Sequence, residues 1–519
     1  MDQNVLDAAK SAFGSGPAIT LGAVVHNGEC HPEPRVRIAL EMMNRHGLIA
    51  GATGTGKTKS LQLIAEQLSA QGVPVFLADI KGDLSGIGTP GQSSDKVAAR
   101  AADTGYTWAG AGFPVEFLSL TGAKGAQLRA TVSSFGPQLL AKVLDLNETQ
   151  TSVLSLVFKF CDDKGLLLLD LADLRSVLQY LTDDGAKELK QYGGMSKATV
   201  GVLLREMVEL EQQGAQKFFG EPMFDLDDLL QVERDGRGLV SVLELSDVQQ
   251  KPALFSTFML WMLATLYNDL PEVGDVEKPK LVFFFDEAHL LFDDASEALL
   301  DQIQQVVRLV RSKGVGVFFI TQSPKDIPEN VLGQLGHRVQ HALRAFTPDD
   351  EKALRAAART FPRTEFYDVQ ATLTSLGIGE ALVTTLAPNG TPTPPFIARM
   401  IPPQSRMGPL TDVEMEQRLR TPQVKKYSTM VDRESAHEML AARHAAEVAA
   451  DSDAPPAAAP RGRSAAAPAP APGIGGTIGA MLNSSVGKSL LRTAAVAVTG
   501  SIVRGILGAL KGSTRTRRR

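Results

Sequence analysis

The sequence has few cysteines, and this scarcity excludes several classes of protein. Only Cys30 and Cys161 occur in 519 residues. Two cysteines provide neither a disulfide framework nor a cluster of metal ligands. The N-terminal segment is acidic and lacks the apolar region of a secretory signal. Together these features predict a reducing, cytoplasmic setting.

An excess of positive charge is also missing. The formal net charge is −5 and the isoelectric point is about 6.0, so any contact with DNA must come from local basic patches. No stretch before the C-terminal region approaches the apolar length of a membrane span. Hydrophobic residues make up 44% and charged residues 21%, which is ordinary for a soluble protein that holds roughly two to four domains.

The stretch that carries the clearest chemistry runs from His46 to Ser60. Gly51 to Thr58 has the spacing G-x-x-x-x-G-K-[ST], between an apolar run that predicts a strand and an amphipathic run that predicts a helix. A chance glycine-rich turn would not need these flanks. We therefore predict a phosphate loop for ATP, whose binding residues are Gly51, Ala52, Thr53, Gly54, Thr55, Gly56, Lys57, Thr58 and Lys59. Lys57 is expected to reach the β- and γ-phosphates, and the Thr58 hydroxyl to bind Mg²⁺.

A second signature lies between Lys280 and Leu291. The apolar run before Asp286 predicts a central strand buried on both faces. Asp286 is predicted to hold Mg²⁺, usually through water, and Glu287 to orient and deprotonate the attacking water. His289 has two interpretations, a switch or a neutral structural side chain, and we favour the structural one.

Polar residues follow two further predicted strands. Gln322 comes after the apolar run 314–320, where it is expected to sense the γ-phosphate. The segment from Asp79 to Asp83, which includes Lys81, follows the predicted strand 73–78, so it is placed near the nucleotide or a partner subunit. A solvated loop is the alternative for that segment.

Ring ATPases need a cation that reaches the γ-phosphate from a neighbouring subunit. The candidates are Arg308, Arg311, Arg338 and Arg344, of which Arg311 and Arg338 are preferred. Each has a plain alternative as surface or helix-end charge.

The remaining segments suggest the domain organisation. Residues 376–384 are predicted to form the final strand of the core, and the segment 134–220 has helical apolar spacing throughout. This helical insertion is interpreted as a cap, an inter-subunit surface or plain packing. The predicted divisions are a lead-in at 1–45, ATPase core at 46–133, the helical insertion at 134–220, ATPase core at 221–403, a helical extension at 404–452, an Ala/Pro-rich linker at 453–473, and an amphipathic helix with a basic tail at 474–519.

In the predicted C-terminal helix, apolar residues recur at every fourth position from Leu490 to Leu510. Lys488, Arg492 and Arg504 interrupt the run, so a spanning helix is not expected. Docking on a partner subunit is the preferred interpretation, and peripheral contact with a membrane surface is the alternative.

Four stretches resemble the HerA/FtsK-type ATPases, and they look most like the bacterial YjgR-like branch with its helicase HerA-like C-terminal domain. They are HGLIAGATGTGKT, VPVFLADIKGDLSG, FFFDEAHLLF and VFFITQSPKDIP, and the likeness extends over about residues 15–445. The resemblance implies an α/β fold: a RecA-like, additional-strand P-loop NTPase core, with a mostly parallel sheet and the sensor strand between the two Walker strands. It also implies hexameric rings with ATP between protomers. HerA translocases carry an N-terminal β-barrel, whereas about 45 residues precede the phosphate loop here.

Two functions are consistent with these features. The first is an ATP-hydrolysing, ring-forming motor that moves DNA or acts on it. The second is an ATP-dependent switch or assembly protein that acts on a protein partner or a membrane surface without DNA, which the acidic isoelectric point favours. A small-molecule kinase is weaker, because the carboxylate after Asp286 suits water activation better than a hydroxyl acceptor.

Overall fold

The long apolar runs of the sequence become the central strands of a single sheet. This computed structural model describes residues 2–249, 251–274, 276–292 and 297–452. The predicted linker at 453–473 and the amphipathic helix at 474–519 lie outside the described residues. Residues Met1–Ala450 form one compact unit, to which the following description refers.

The strands of the described residues are β1 (Ala18–His26), β2 (Glu29–Ala39), β3 (Gly47–Ala50), β4 (Val75–Asp79), β5 (Val115–Ser119), β6 (Ala126–Gln127), β7 (Val240–Glu244), β8 (Leu281–Phe285), β9 (Val315–Thr321), β10 (His337–His341), β11 (Glu380–Thr384) and β12 (Phe396–Met400).

The α-helices are α1 (Asp2–Phe13), α2 (Lys57–Ala70), α3 (Asp95–Asp103), α4 (Val132–Val143), α5 (Glu148–Lys164), α6 (Leu171–Thr182), α7 (Ala186–Leu189), α8 (Lys197–Gln212), α9 (Pro252–Asp269), α10 (Glu297–Val310), α11 (Glu329–Leu332), α12 (Pro348–Arg359), α13 (Val369–Ser375), α14 (Asp412–Arg418), α15 (Pro422–Ser428) and α16 (Ala436–Ser452).

These strands form one sheet in the order β2-β1-β12-β11-β10-β3-β9-β8-β4-β7-β5-β6. The strands from β10 to β6 in that order are parallel to one another, and the others are antiparallel. β9 therefore lies between β3, which leads into the phosphate loop, and β8, which ends before Asp286. This mostly parallel α/β sheet, with its sensor strand between the two Walker strands, confirms the predicted fold class.

The antiparallel end of the sheet corrects the prediction that residues 376–384 form the last strand. They contain β11, but β12 follows and pairs with both β11 and β1. The residues 1–45 contain α1, β1 and β2, and β1 and β2 form a hairpin around Asn27 and Gly28. Both turn residues have positive φ, at 50° and 82°, as a two-residue hairpin turn requires.

Successive side chains of the central strands point to opposite faces of the sheet, so the apolar core around these strands forms one cluster on each face. Phe283 and Phe285 contact one apolar cluster, whereas Val282 and Phe284 contact the other. α1 and α2 contribute to the second cluster. A one-residue shift of β8 would exchange these side chains between the two clusters.

The helices α4–α8 occupy the segment predicted as a helical insertion. Their apolar residues belong to the same cluster as Phe283 and Phe285, so these helices pack on one face of the sheet. Asn147 caps α5 in a capping box with Gln150, and α4 is interrupted at Gly136, where φ is 65°. The use of this segment as a cap or inter-subunit surface stays a prediction.

The chain after β12 forms a strap across the molecule. It contains α14, α15 and α16, within the segment predicted as a helical extension. Glu66 of α2 accepts hydrogen bonds from the N–H groups of Gln404 (2.7 Å) and Ser405 (3.0 Å) and from the Ser405 hydroxyl (2.9 Å). Further along, Ser435 donates to Asp173 of α6 at 2.5 Å. The strap thus joins the helix of the phosphate loop to the helical layer.

Among the described helices, none combines the length and the apolar character that crossing a lipid bilayer requires.

Glu66→Gln should change how stability depends on pH. Burial raises the pKa of Glu66 to about 7 from 4.5, although the hydrogen bonds of Gln404 and Ser405 oppose this shift. The folded protein therefore holds a proton that the unfolded chain releases, and the stability from that proton is present below pH 4.5 and lost as the pH rises through about 7. Between pH 5 and pH 8 the free energy of unfolding of the parent, relative to the variant, should fall by about 3 kcal/mol in urea titrations.

The exposed residue Glu416 provides a matched control through Glu416→Gln. A difference between parent and Glu66→Gln that stays constant over this pH range would contradict the assignment of a buried, proton-holding carboxyl.

Candidate nucleotide site

The carboxyl ends of the parallel strands bring the predicted site residues to one edge of the sheet. Ala50 is paired with Thr321 and with Gln340, and Phe285 is paired with Ala78. The residues that follow these positions therefore leave the sheet side by side. They are the phosphate loop, Gln322, the pair Asp286 and Glu287, and the segment from Asp79 to Asp83.

The phosphate loop has the backbone that its glycines predict. Gly51, Gly54 and Gly56 have φ values of 153°, 79° and 118°, in the region that favours glycine. A Cβ atom on Gly51 would lie 2.5 Å from Cβ of His341, so no larger residue fits there. α2 begins at Lys57, directly after the loop, so its N-terminal N–H groups face the space above the loop.

Lys57 is folded back onto the loop. Its Nζ donates to the carbonyl oxygens of Gly51 (2.6 Å) and Ala52 (3.3 Å), and the residue is only 8% exposed. Burial lowers the pKa of Lys57, while the negative charges of Glu287 and Asp286 oppose this shift. Lys57 and the two acids of the second signature therefore lie within electrostatic reach of one another.

His341 supports the loop from below, and sequence analysis did not assign it this role. Its Nε2 lies 2.9 Å from the Ser60 hydroxyl of α2, and its Nδ1 lies 2.8 Å from the carbonyl of Glu380. Burial lowers the pKa of His341 to about 4, so the ring is neutral at pH 7. The one available signal was the strand pattern of residues 336–344, which include His341.

Asp286 is a buried carboxylate with one oxygen in use. Its Oδ1 accepts a hydrogen bond from the N–H of Glu287 at 3.0 Å, whereas Oδ2 is buried and has no hydrogen-bond partner among the described residues. Burial, followed by the charge of Glu287, raises the pKa of Asp286 to about 7. A cation placed against Oδ2 would favour the ionised form.

Glu287 has a strained backbone, with φ and ψ both 48°. A residue other than glycine in this region is uncommon and is found at functional sites. Its Oε1 pairs with the ammonium of Lys81, and its Oε2 lies 3.4 Å from Nδ1 of His289. The contact between Lys81 and Glu287 was not foreseen, although the position of Lys81 after a strand placed it near the nucleotide. His289 therefore adjoins the acid, and its role as a switch or as a structural side chain stays a prediction.

The segment from Asp79 to Asp83 is a fixed turn rather than a loose loop. Asp79 accepts hydrogen bonds from the N–H groups of Gly82 and Leu84, both at 2.8 Å. Burial raises the pKa of Asp79 to about 6, against these hydrogen bonds. Asp79 therefore turns inward to hold the segment, and Lys81 is the residue that reaches the site.

Gln322 lines a cavity of about 570 Å³ together with Ala52, Thr53 and His289. The turn that carries Gln322 is held by Asp326, whose Oδ2 accepts from the Thr321 hydroxyl (2.7 Å) and from the N–H of Ser323 (2.9 Å). The structure thus brings Gln322 and the phosphate loop together. Asp326 was missed, although Ser323 to Asp326 has the S-x-x-D spacing of a capping box.

The oxygen donors at this edge suit Mg²⁺. The Thr58 hydroxyl stands in the first turn of α2, and the free oxygen of Asp286 is a hard, anionic ligand. Within the described part of the chain, no three His, Cys, Asp or Glu side chains are grouped to hold a metal by themselves. Magnesium would therefore depend on phosphate oxygens and water for its remaining ligands, as is usual for this ion.

Three of the four candidate arginines gather away from this edge. Arg308, Arg311 and Arg338 line a cavity of about 740 Å³, together with Arg45. It lies where β3 and β10 begin, the opposite edge of the sheet from the phosphate loop. Nη1 of Arg338 is buried without a hydrogen-bond partner in the described residues. Arg344 is separate from them, since it lines the cavity of Gln322.

The family match and the curated relatives of this chain both point to HerA-like proteins. Residues 25–517 match the family described as helicase HerA-like C-terminal. The chain is 23% identical over 370 residues to the DNA double-strand break repair helicase HerA of Sulfurisphaera tokodaii, covering 67% of this chain and 64% of that protein. It is 21% identical over 396 residues to HerA of Saccharolobus solfataricus, covering 72% and 67%. The bacterial conjugative coupling protein TrwB superposes with a TM-score of 0.49 at 15% identity, over 77% of this chain and 92% of that one.

The match therefore spans slightly less than two thirds of the Sulfurisphaera relative. The family match itself extends over nearly the whole chain, in agreement with the phosphate loop and the paired acids at one edge of a parallel sheet. This protein belongs to the helicase HerA-like C-terminal family.

Proposed function

We propose that this protein is an ATPase that works as a ring-forming motor on DNA. The main support is the convergence of the phosphate loop with Asp286 and Glu287 at one edge of the sheet. Two matched relatives are named DNA double-strand break repair helicases, which favours DNA as the polymer. The scarcity of cysteine, with both thiols free, supports a cytoplasmic location.

The side chains divide the work of hydrolysis between binding and water activation. Lys57 would leave the loop carbonyls for the β- and γ-phosphate oxygens, where its charge stabilises the phosphoryl group in transfer. Thr58 and Asp286 would hold Mg²⁺, which supplies positive charge to the phosphates when bound. Glu287 would accept a proton from the attacking water, and Gln322 would contact the γ-phosphate from the neighbouring strand end.

A ring explains the separation of the arginines from the phosphate loop. Arg308, Arg311 and Arg338 lie at the opposite edge of the sheet and do not line the cavity of Gln322. In a head-to-tail ring, one face of each subunit meets a different face of its neighbour. We propose that Arg311 and Arg338 act on the nucleotide of the next subunit in a hexamer.

The second candidate function is an ATP-dependent switch or assembly protein that acts without DNA. The net charge of −5 favours it, because non-specific DNA binding depends on basic surface. The basic tail and the C-terminal helix, which could contact a partner subunit or a membrane surface, lie outside the described residues.

Glu287→Gln should bind ATP with near-parental affinity but hydrolyse it at least about 100-fold more slowly, because an amide cannot accept the proton of the water. Nucleotide binding is measured by calorimetry and hydrolysis by phosphate release. Glu272→Gln, at an exposed position, is the matched control. Parental turnover by Glu287→Gln would show that another group activates the water.

Duplex DNA should stimulate hydrolysis by the parent, and the stimulation should decline steeply between 50 and 200 mM salt, because phosphate contacts release counterions. Phosphate release is measured with and without DNA across a salt series. A hydrolysis rate that is the same with and without DNA, together with no salt-sensitive DNA binding, would favour the switch over the motor.

Mixing two inactive variants tests whether Arg311 acts between subunits. In an equimolar mixture of Arg311→Ala and Glu287→Gln, a subunit with an intact Glu287 meets a neighbour with an intact Arg311 at about one quarter of the interfaces of a random ring. Hydrolysis should therefore recover to about one quarter of the parental rate. Arg338→Ala is tested in the same way.

Arg344→Ala serves as the comparison, because Arg344 lines the cavity of its own subunit and should show no recovery on mixing. If the Arg311→Ala mixture also shows none, while both variants still assemble by light scattering, then Arg311 does not act on a neighbour.

A further inference from the structure

A half-exposed cation covers the buried carboxylate proposed as the base. The side chain of Lys81 is 46% exposed, whereas that of Glu287 is 7% exposed, and the two groups form an ion pair. A ligand that enters from solvent therefore meets the ammonium of Lys81 before it meets Glu287.

The position of this cation is built into the fold. β4 is paired with β8, with Ala78 opposite Phe285, so the residues after the two strands leave the sheet together. Asp79 fixes the intervening turn through its hydrogen bonds to Gly82 and Leu84. The backbone of Lys81 is thus held in place, while its side chain is partly exposed to solvent.

Lys81 is the strongest partner of the Glu287 carboxylate among the described residues. The other oxygen, Oε2, is buried and accepts no hydrogen bond there, although His289 lies 3.4 Å away. While Lys81 holds Oε1, that oxygen is occupied by a cation instead of a water molecule. The backbone N–H of Glu287 is held by Asp286, so only the side-chain contact needs to change.

The ammonium is also close to the place where phosphates would bind. The charges of Glu287 and Asp286 raise the pKa of Lys57, the cation of the phosphate loop, and the charge of Lys81 lowers it. A triphosphate bound at Lys57 therefore brings several negative charges within reach of Lys81. These charges attract the ammonium more strongly than one carboxylate does.

We propose that Lys81 is a positioning residue that exchanges partners, from Glu287 in the nucleotide-free protein to the terminal phosphate when ATP binds. The exchange frees Glu287 to accept a water proton only when a γ-phosphate is present. It also makes Lys81 a determinant of the preference for ATP over ADP. This inference rests on the proposed nucleotide site, but not on hydrolysis itself.

The binding test compares ADP with a non-hydrolysable ATP analogue, both with Mg²⁺. Lys81→Met should weaken binding of the ATP analogue about tenfold and leave the affinity for ADP unchanged, since only the analogue carries the terminal phosphate. Lys81→Arg should keep most of the affinity for the analogue. Lys124→Met is the matched control, because Lys124 is an exposed lysine after β5 at the same edge, where it donates to Ser246.

An equal loss for both nucleotides, or no loss for the analogue, would overturn the proposal. A parent that binds neither nucleotide would instead overturn the nucleotide site on which it depends. A parent that binds both without hydrolysing them would refute the ATPase function and leave this comparison intact.

The partner exchange is tested by a double-variant cycle of thermal unfolding with the parent, Lys81→Met, Glu287→Gln and the double variant. Without nucleotide, the two substitutions should not add, because they remove the same ion pair. With saturating ATP analogue, their effects should become additive. A coupling that is the same in both conditions would show that Lys81 stays on Glu287, and the proposal would fail.

Discussion

Parallel pairing of four central strands is the constraint on which the rest of this molecule depends. β3, β9, β8 and β4 are adjacent and run in the same direction, so the residues that follow them share one edge. Lys57 and Asp286 are 229 residues apart in sequence (286 − 57), and only this pairing brings them together. Alternate side chains of these strands belong to different apolar clusters on the two faces of the sheet, so a one-residue shift of a strand would move each side chain to the other cluster.

Burial of charge at that edge then shapes its chemistry. Asp79, Glu244 and Asp286 end or follow adjacent strands, and burial raises the pKa of each one, to about 6, 8 and 7. The two lysines at this edge bind groups of the protein itself: Lys57 donates to a loop carbonyl, and Lys81 forms an ion pair with Glu287. Lys57 and Lys81 thus have partners within the protein, whereas Oδ2 of Asp286 and Oε2 of Glu287 accept no hydrogen bond from the described residues. In the proposed function, a phosphate ligand would compete for each of the two cations. In that proposal, part of the binding energy would be used to rearrange side chains, which would link occupancy of the site to its catalytic state.

Local sequence was sufficient where one segment carries the whole signal. The phosphate loop, β8 and the strand before Gln322 were predicted because apolar runs and glycine spacing are local features. The support of His341 beneath the loop and the contact of Lys81 with Glu287 were not predictable in this way, since each joins strands far apart in sequence. β12 was missed for a related reason: it follows Pro394 and Pro395 and is stabilised by pairing with β1 and β11. The gathering of Arg308, Arg311 and Arg338 also became visible only in three dimensions.

The strap after β12 shows how the phosphate-loop helix is connected to distant parts of the molecule. α2 begins at Lys57 and carries Glu66, which accepts three hydrogen bonds from Gln404 and Ser405. The same strap contacts Glu116 of β5 through Thr421 and Asp173 of α6 through Ser435. A shift of α2 alone would leave the buried Glu66 carboxyl without its donors, which costs more than the hydrogen bonds themselves contribute. Movements of α2 that keep these hydrogen bonds would therefore carry Gln404 and Ser405 with them.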